Sequence, residues 1–362
     1  MNWSRLCSAL WSKSLRFILT PVTTQISRTA VQRLSPSSWS RRFCSFSSPK
    51  QFHNQNYSKF ILISGVMSFL GLEKEKEEKD DELIMTLKRS VLLMQQGDLA
   101  KAEQMLHLAL RLAQERMSVD GITYTYDLMA NLALERGELA KAEKLFLTVM
   151  NRLLVAGAQE NDNKILHMSI KLANIFADGF FEGKDASKAQ ELCSKAHNGY
   201  DFCKERLQKK IDSGDNDSDT YLLLSLAYEG EGRLYAGQEM LPKARLSYEK
   251  ALEWSKRGKD TDERMSSLLG YLGYISGMQA EIPAAMHYLE EAIAIARKNN
   301  GEQLQSMLVN LGMLKLYNGA LAEARNSCKE GFNLSRQAKD SETENEAVRC
   351  LEEVNVAFKN KK

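Results

Sequence analysis

From about Leu83 onward, apolar residues recur three and four positions apart, the spacing that gathers them on one face of a 3.6-residue helix. The alternation of half-buried strands is absent there, and only Pro242 and Pro283 interrupt the pattern, so the body reads as all-α. A longer period is superimposed: Gly or a polar turn, five residues to Ala, four to a large apolar residue, three to a small one. It occurs as Gly97, Ala102, Leu106, Ala109 and as Gly137, Ala142, Phe146, Val149. Further copies are Ala189, Cys193, Ala196; Ala244, Tyr248, Ala251; Ala285, Leu289, Ala292; and Gly319, Ala324, Cys328, Gly331. Upstream of four of them stand a large apolar residue and a hydrophobic-small pair: Tyr126 with Met129 and Ala130; Tyr228 with Gly232 and Tyr235; Leu269 with Leu272 and Gly273; Leu308 with Leu311 and Gly312. Small residues let paired helices approach closely while large ones fill the space between neighbouring pairs.

This two-helix signature resembles the tetratricopeptide repeat. The resemblance implies an all-α, tetratricopeptide-type helical solenoid of about six helix pairs, and Asp340 to Lys359 carries Ala347, Val348, Leu351, Val354 and Phe358 at the spacing of a C-terminal capping helix. Measured on the last small residue, the units are 40, 47, 55, 41 and 39 residues apart, longer than the common period of about 34. The helices or the connections must therefore be extended. Asp178 to Gly183 and Asp212 to Asp219, inside the two largest spacings, read as loops.

Charge is distributed unevenly. Up to Leu72 there is no Asp or Glu, while Arg5, Lys13, Arg16, Arg28, Arg33, Arg41, Arg42, Lys50 and Lys59 supply nine positive charges among many Ser and Thr. Removing those nine from 49 basic residues leaves 40 against 47 acidic, so the body is mildly acidic although the whole chain carries +2. A basic, Ser-rich, acid-free start is the composition of a mitochondrial transit peptide, and Arg41-Arg42-Phe43-Cys44-Ser45 resembles a matrix-peptidase site. The expected organisation is a transit peptide over 1–43, a linker over 44–82 and a repeat domain over 83–362. Within the linker, Phe60 to Leu72 is apolar but covers only about 20 Å as a helix against about 30 Å of hydrocarbon. It is read as a membrane anchor or stop-transfer segment, with a surface-lying amphipathic segment and a plain linker as the other readings. The charged run 73–82 reads as a solvated spacer.

Candidate chemistry is sparse. The chain lacks a Gly-rich phosphate loop, a His-Glu-x-x-His pair and a nucleophile elbow. Cys193, His197 and Cys203 could contribute to a zinc or redox site, but Cys193 and Cys328 occupy repeat-packing positions and read as inert core thiols. In the acidic run Asp212 to Asp219, Gly214 stands third where a calcium loop of the EF-hand type needs Gly sixth, so a flexible surface loop is expected. Without a basic stripe the acidic body is a poor nucleic-acid binder. No enzyme, no cofactor, no metal, no nucleic acid and no small-molecule substrate is expected.

A more specific resemblance lies in Ile122-Thr-Tyr-Thr-Tyr-Asp-Leu-Met-Ala-Asn-Leu-Ala133, followed by Arg136, Gly137, Ala142 and Glu143. With Ala109 to Ala113, Ser169 to Ala173, Thr220 to Leu224 and Tyr248 to Leu252, it is similar to a family of mitochondrial tetratricopeptide repeat proteins. What that resemblance implies is a scaffold of the mitochondrial inner membrane, an assembly and maintenance factor for respiratory complex III with the Rieske iron-sulfur subunit as neighbour. The Gly/Phe-rich stretch around Gly179 to Gly183 departs from the family. The other function considered is a general tetratricopeptide cargo or chaperone adaptor. A two-carboxylate clamp for chaperone C-termini would need Lys beside groove Asn residues; Asn131 and Asn174 share the groove position, but the matching Lys residues are missing. First helices line the concave face of such solenoids, which makes Tyr124, Asp127, Asn131, Glu135, His167, Asn174 and Arg233 the candidate peptide-groove residues.

Overall fold

A computed structural model describes residues 82–183, 185–299, 301 and 303–360. The expected transit peptide, the apolar stretch 60–72 and the spacer up to residue 81 lie outside the described residues. Among the described residues there are thirteen helices and no strand, and no helix is long and apolar enough to cross a membrane. The chain divides after Gly237 into two units.

The first unit contains α1 (Glu82–Gln95), α2 (Leu99–Glu115), α3 (Val119–Glu135), α4 (Leu139–Val155), α5 (Asn163–Glu182), α6 (Ala186–Asp212) and α7 (Ser218–Gly237). Successive helices pair as α1 with α2, α3 with α4 and α5 with α6, while α7 packs on both α5 and α6. The second contains α8 (Leu241–Arg257), α9 (Asp262–Met278), α10 (Ile282–Asn299), α11 (Leu304–Tyr317), α12 (Leu321–Ala338) and α13 (Ser341–Asn360). There α8 packs on α9, α9 pairs with α10, α11 pairs with α12, and α13 lies against α11 and α12 as the expected cap.

The repeat register read from the sequence holds. Ala102, Leu106 and Ala109 of α2, Ala142, Phe146 and Val149 of α4, and Ala285, Leu289 and Ala292 of α10 are all buried. The small residues are required for close approach: a Cβ on Gly273 of α9 would overlap the Leu289 side chain of α10. Turns end helices in the left-handed region, with Gly97, Gly137 and Gly319 at φ 77, 72 and 80°. Residues with a Cβ take the same conformation at Met117, Glu239, Lys259, Ala280 and Lys339. Asp98 and Ser118 accept from the backbone N–H of Lys101 and Gly121 and so start α2 and α3.

Three expectations are corrected. Asp178 to Glu182 is not a loop but the last turn of α5, where Phe180 and Phe181 pack against a cluster with Ala173, Ala177, Tyr200 and Leu234. Glycine serves contact there, since a Cβ on Gly179 would come 3.1 Å from the Leu192 side chain. The longest repeat spacings therefore arise mainly from α5 and α6, at 20 and 27 residues. Second, the acidic connection spans only Ser213 to Asp217 and is bonded on every side. Lys210 Nζ donates to Asn163 Oδ1 at 2.6 Å and pairs with Asp215 at 3.3 Å, while Thr220 Oγ1 donates to Asp215 at 3.1 Å. Lys210 is the cation beside the Asp215 carboxylate. Third, Cys328 is not an isolated core thiol: its sulfur meets that of Cys350 of α13 within bonding distance.

Candidate protein-binding surface

The candidate groove residues lie on α3, α5 and α7 of the first unit, and most are interior. Tyr124, Asn131, Asn174 and Arg233 are buried, whereas Asp127, Glu135 and His167 are partly exposed. Two groups of them are brought together by hydrogen bonds. In one, Asn131 Nδ2 donates to the Asp127 backbone O at 2.8 Å and to its Oδ2 at 3.3 Å. In the other, Asn174 Oδ1 accepts from Tyr200 OH at 2.6 Å and from Arg233 Nη2 at 3.5 Å.

Partners that sequence reasoning missed complete both groups. Lys171 of α5 reaches across to α3, its Nζ 2.9 Å from Asp127 Oδ1 and 5.0 Å from the centroid of the Phe146 ring, and only 3% of its side chain is exposed. Asp178, also on α5, pairs with Arg233 of α7 at 3.3 Å. Lys204 of α6 bonds Glu231 of α7 at 2.6 Å and Asp201 at 2.9 Å, with the Tyr228 ring 5.2 Å away. The available signal was a charge inside an apolar run: Lys171 stands between Ile170 and Leu172, on a helix buried on nearly all sides. A lysine there must have a partner, because an unpaired buried charge is too costly to keep.

Electrostatics follow from burial. Burial lowers the His167 imidazole well below its ordinary range, and Lys171 lowers it further, so the ring is neutral. Its Nε2 is enclosed with no hydrogen-bond partner among the described residues. Burial, then the Asp127 charge, pushes the Tyr124 phenol up, and burial likewise raises Tyr200. For Lys204 burial acts downward, but the charge and hydrogen bond of Glu231 outweigh it and hold the ammonium above its usual value. On the α2 and α4 side, Glu103 accepts from Arg136 at 2.6 Å and Lys141 at 3.0 Å, and these bonds lower its carboxyl. Arg136 also donates to the Leu99 backbone O at 2.9 Å, tying the turn after α3 to the start of α2.

Polar side chains of α3, α5 and α7 thus bond to their own helix backbone and, through Lys171, Asp178 and Asn174, across neighbouring helices. They fix how the helices sit; Asp127, Glu135 and His167 keep partial exposure, although His167 Nε2 and Glu135 Oε2 are themselves enclosed. Elsewhere in this unit, Met117, Val119 and Val155 are highly exposed at 83, 56 and 81%. Arg152, one turn before Val155, donates to Thr123 Oγ1 at 2.9 Å and to the Val119 backbone O at 3.3 Å, which brings the α4 end beside the α3 start. No group of His, Cys, Asp and Glu among the described residues could hold a metal ion.

No family model matches the chain. It is 32% identical over 298 residues to the mitochondrial tetratricopeptide repeat protein 19 homolog of Drosophila melanogaster, covering 81% of this chain and 77% of that one. It is 34% identical over 282 residues to the mitochondrial tetratricopeptide repeat protein 19 of Rattus norvegicus, covering 74% and 73%. Among solved structures, a signal-transduction ATPase with a tetratricopeptide repeat sensor from Pyrococcus horikoshii superposes with a TM-score of 0.53 at 15% identity, over 82% of this chain and 43% of that one. That likeness supports the fold alone.

Proposed function

The chain belongs to the family of mitochondrial tetratricopeptide repeat protein 19, and from that premise we propose that it is a non-enzymatic protein-binding scaffold of the mitochondrial inner membrane, serving assembly and maintenance of respiratory complex III around its Rieske iron-sulfur subunit. The observation that carries the scaffold reading is the fold itself: stacked helix pairs offering long faces, the architecture by which repeat proteins hold other chains. Import by a cleaved leader over 1–43 and membrane attachment through 60–72 complete the reading, supported by the basic, acid-free start of the chain.

For the docking face we propose the open edge of α3 and α5, with Asp127, Glu135 and His167 as contacts. Of the interior candidates, Asn131 stands behind Asp127 and donates to it, while Asn174 and Arg233 tie α5 to α7. The exposed apolar corner of Met117, Val119 and Val155 supplies area that polar residues alone do not. The test is genetic complementation. Cells lacking the protein should accumulate complex III with reduced Rieske content on native gels, and Glu135→Ala/His167→Ala, which leaves the Asp127–Lys171 pair intact, should restore it less well than the wild type at equal abundance. Full restoration by the double variant would remove the docking face, and unaltered complex III in the deleted cells would remove the respiratory assignment.

A further inference from the structure

We propose that Cys328 and Cys350 form a structural disulfide in the cell that locks the capping helix α13 onto the last repeat, and that the second unit therefore resides where thiols are oxidised. The inference goes beyond the scaffold reading and needs no partner. On α13 the buried residues Thr343, Ala347, Cys350 and Val354 recur at intervals of four, three and four, a single stripe against α11 and α12. Cys350 is in the middle of that stripe. Cys328 holds the large-residue position of the final repeat, between Ala324 and Gly331. The two Cα atoms are 6.1 Å apart, within the range a disulfide spans without moving the backbone.

The third helix of this end closes over the bond. Both cysteines are fully buried, and a Cβ on Gly312 of α11 would overlap Cys328 Sγ. A disulfide occupies less room than two thiols in van der Waals contact, so the glycine and the cross-link fit one another. The remaining described cysteines provide the contrast. Cys193 and Cys203 are buried on α6 and are not joined in a disulfide; Cys203 Sγ donates to the Leu166 backbone O at 3.6 Å, and burial pushes its thiol well up. They should stay reduced.

Formation is a thiol–disulfide exchange with a protein disulfide as oxidant. The thiolate of one cysteine attacks the oxidant's disulfide and releases one of its sulfurs as a thiolate; the second cysteine, having lost its proton, attacks the mixed disulfide and releases the other. Two thiols become one disulfide while the oxidant's disulfide becomes a dithiol, and two electrons and two protons are transferred. Because neither sulfur is reachable once α13 has docked, the exchange precedes docking. A disulfide is not retained where thiols are kept reduced. For a protein of mitochondria, this places the unit on the intermembrane-space side of the inner membrane.

The experiment uses the full chain in intact mitochondria. Thiols are trapped by acid quenching and denaturation in N-ethylmaleimide; after reduction, newly released thiols are labelled with a heavier maleimide and peptides are read by mass spectrometry. The expected result is the heavier label on Cys328 and Cys350 and the first label on Cys193 and Cys203. The first label on all four overturns the proposal. In mitoplasts with the inner membrane intact, added protease should digest the second unit; full protection contradicts the compartment. A second measurement keeps the lock testable in purified protein: Cys328→Ala/Cys350→Ala should melt about 10 °C below wild type, as expected for opening a cross-link of this loop length. Equal melting temperatures overturn the lock.

Discussion

Replacing Lys171 by Met keeps the buried aliphatic stem and removes only the ammonium. Asp127 then loses its 2.9 Å partner and retains the 3.3 Å contact from Asn131 Nδ2, while Phe146 loses the cation over its ring. Breaking a buried pair by removing one partner costs about 3–5 kcal/mol. The Asp127 side chain is still 17% exposed, so water can solvate part of the stranded carboxylate, and the loss should fall at about 2–3 kcal/mol. Removing both charges with Asp127→Asn/Lys171→Met should restore stability to within about 1 kcal/mol of wild type, because an uncharged pair of similar volume leaves nothing unpaired. Urea unfolding followed by circular dichroism would measure both, and hydrogen exchange on α3 and α5 would assign the loss to the first unit. If Lys171→Met alone unfolded at the wild-type midpoint, or if the double variant were as unstable as the single, the ion pair between α3 and α5 would not be a support of this unit.

Other outcomes can be checked in the same protein. His167 is neutral when folded and gains a proton more readily when unfolded, so stability should fall as pH drops through about 6.5, with a slope of up to about 1.4 kcal/mol per pH unit; His167→Phe should flatten that part of the profile in pH-dependent urea melts. Ala142→Leu forces a larger group into the fully buried contact between α3 and α4 and should cost about 1–3 kcal/mol, seen as a lowered urea midpoint. Ala280→Gly relieves a left-handed residue at φ 61° and should stabilise the second unit by about 0.5–1 kcal/mol, read as a raised melting temperature.

The repeat register was legible because it rests on residue size at fixed spacing: Ala142, Phe146 and Val149 can do little else in a chain of paired helices. The helical end of α5 was not legible, since Gly179 and Gly183 read as breakers until their contacts with Leu192 and Ala189 are seen. Site residues were legible as positions but not as partners. Asp127 meets Lys171 and Asn174 meets Arg233 across 44 and 59 residues of sequence, and local pattern says nothing about such pairs. Cys328 and Cys350 both fall on apolar stripes, where a cysteine looks like any small hydrophobic residue.

The proposed role is tested most directly by isolating the tagged chain from mitochondria after brief cross-linking in intact organelles and identifying what comes with it. Complex III subunits, the Rieske protein among them, should be enriched over an untagged control, and the enrichment should fall in the Glu135→Ala/His167→Ala variant at equal abundance. Recovery of the folded wild-type chain with complex III subunits at control level would contradict the account.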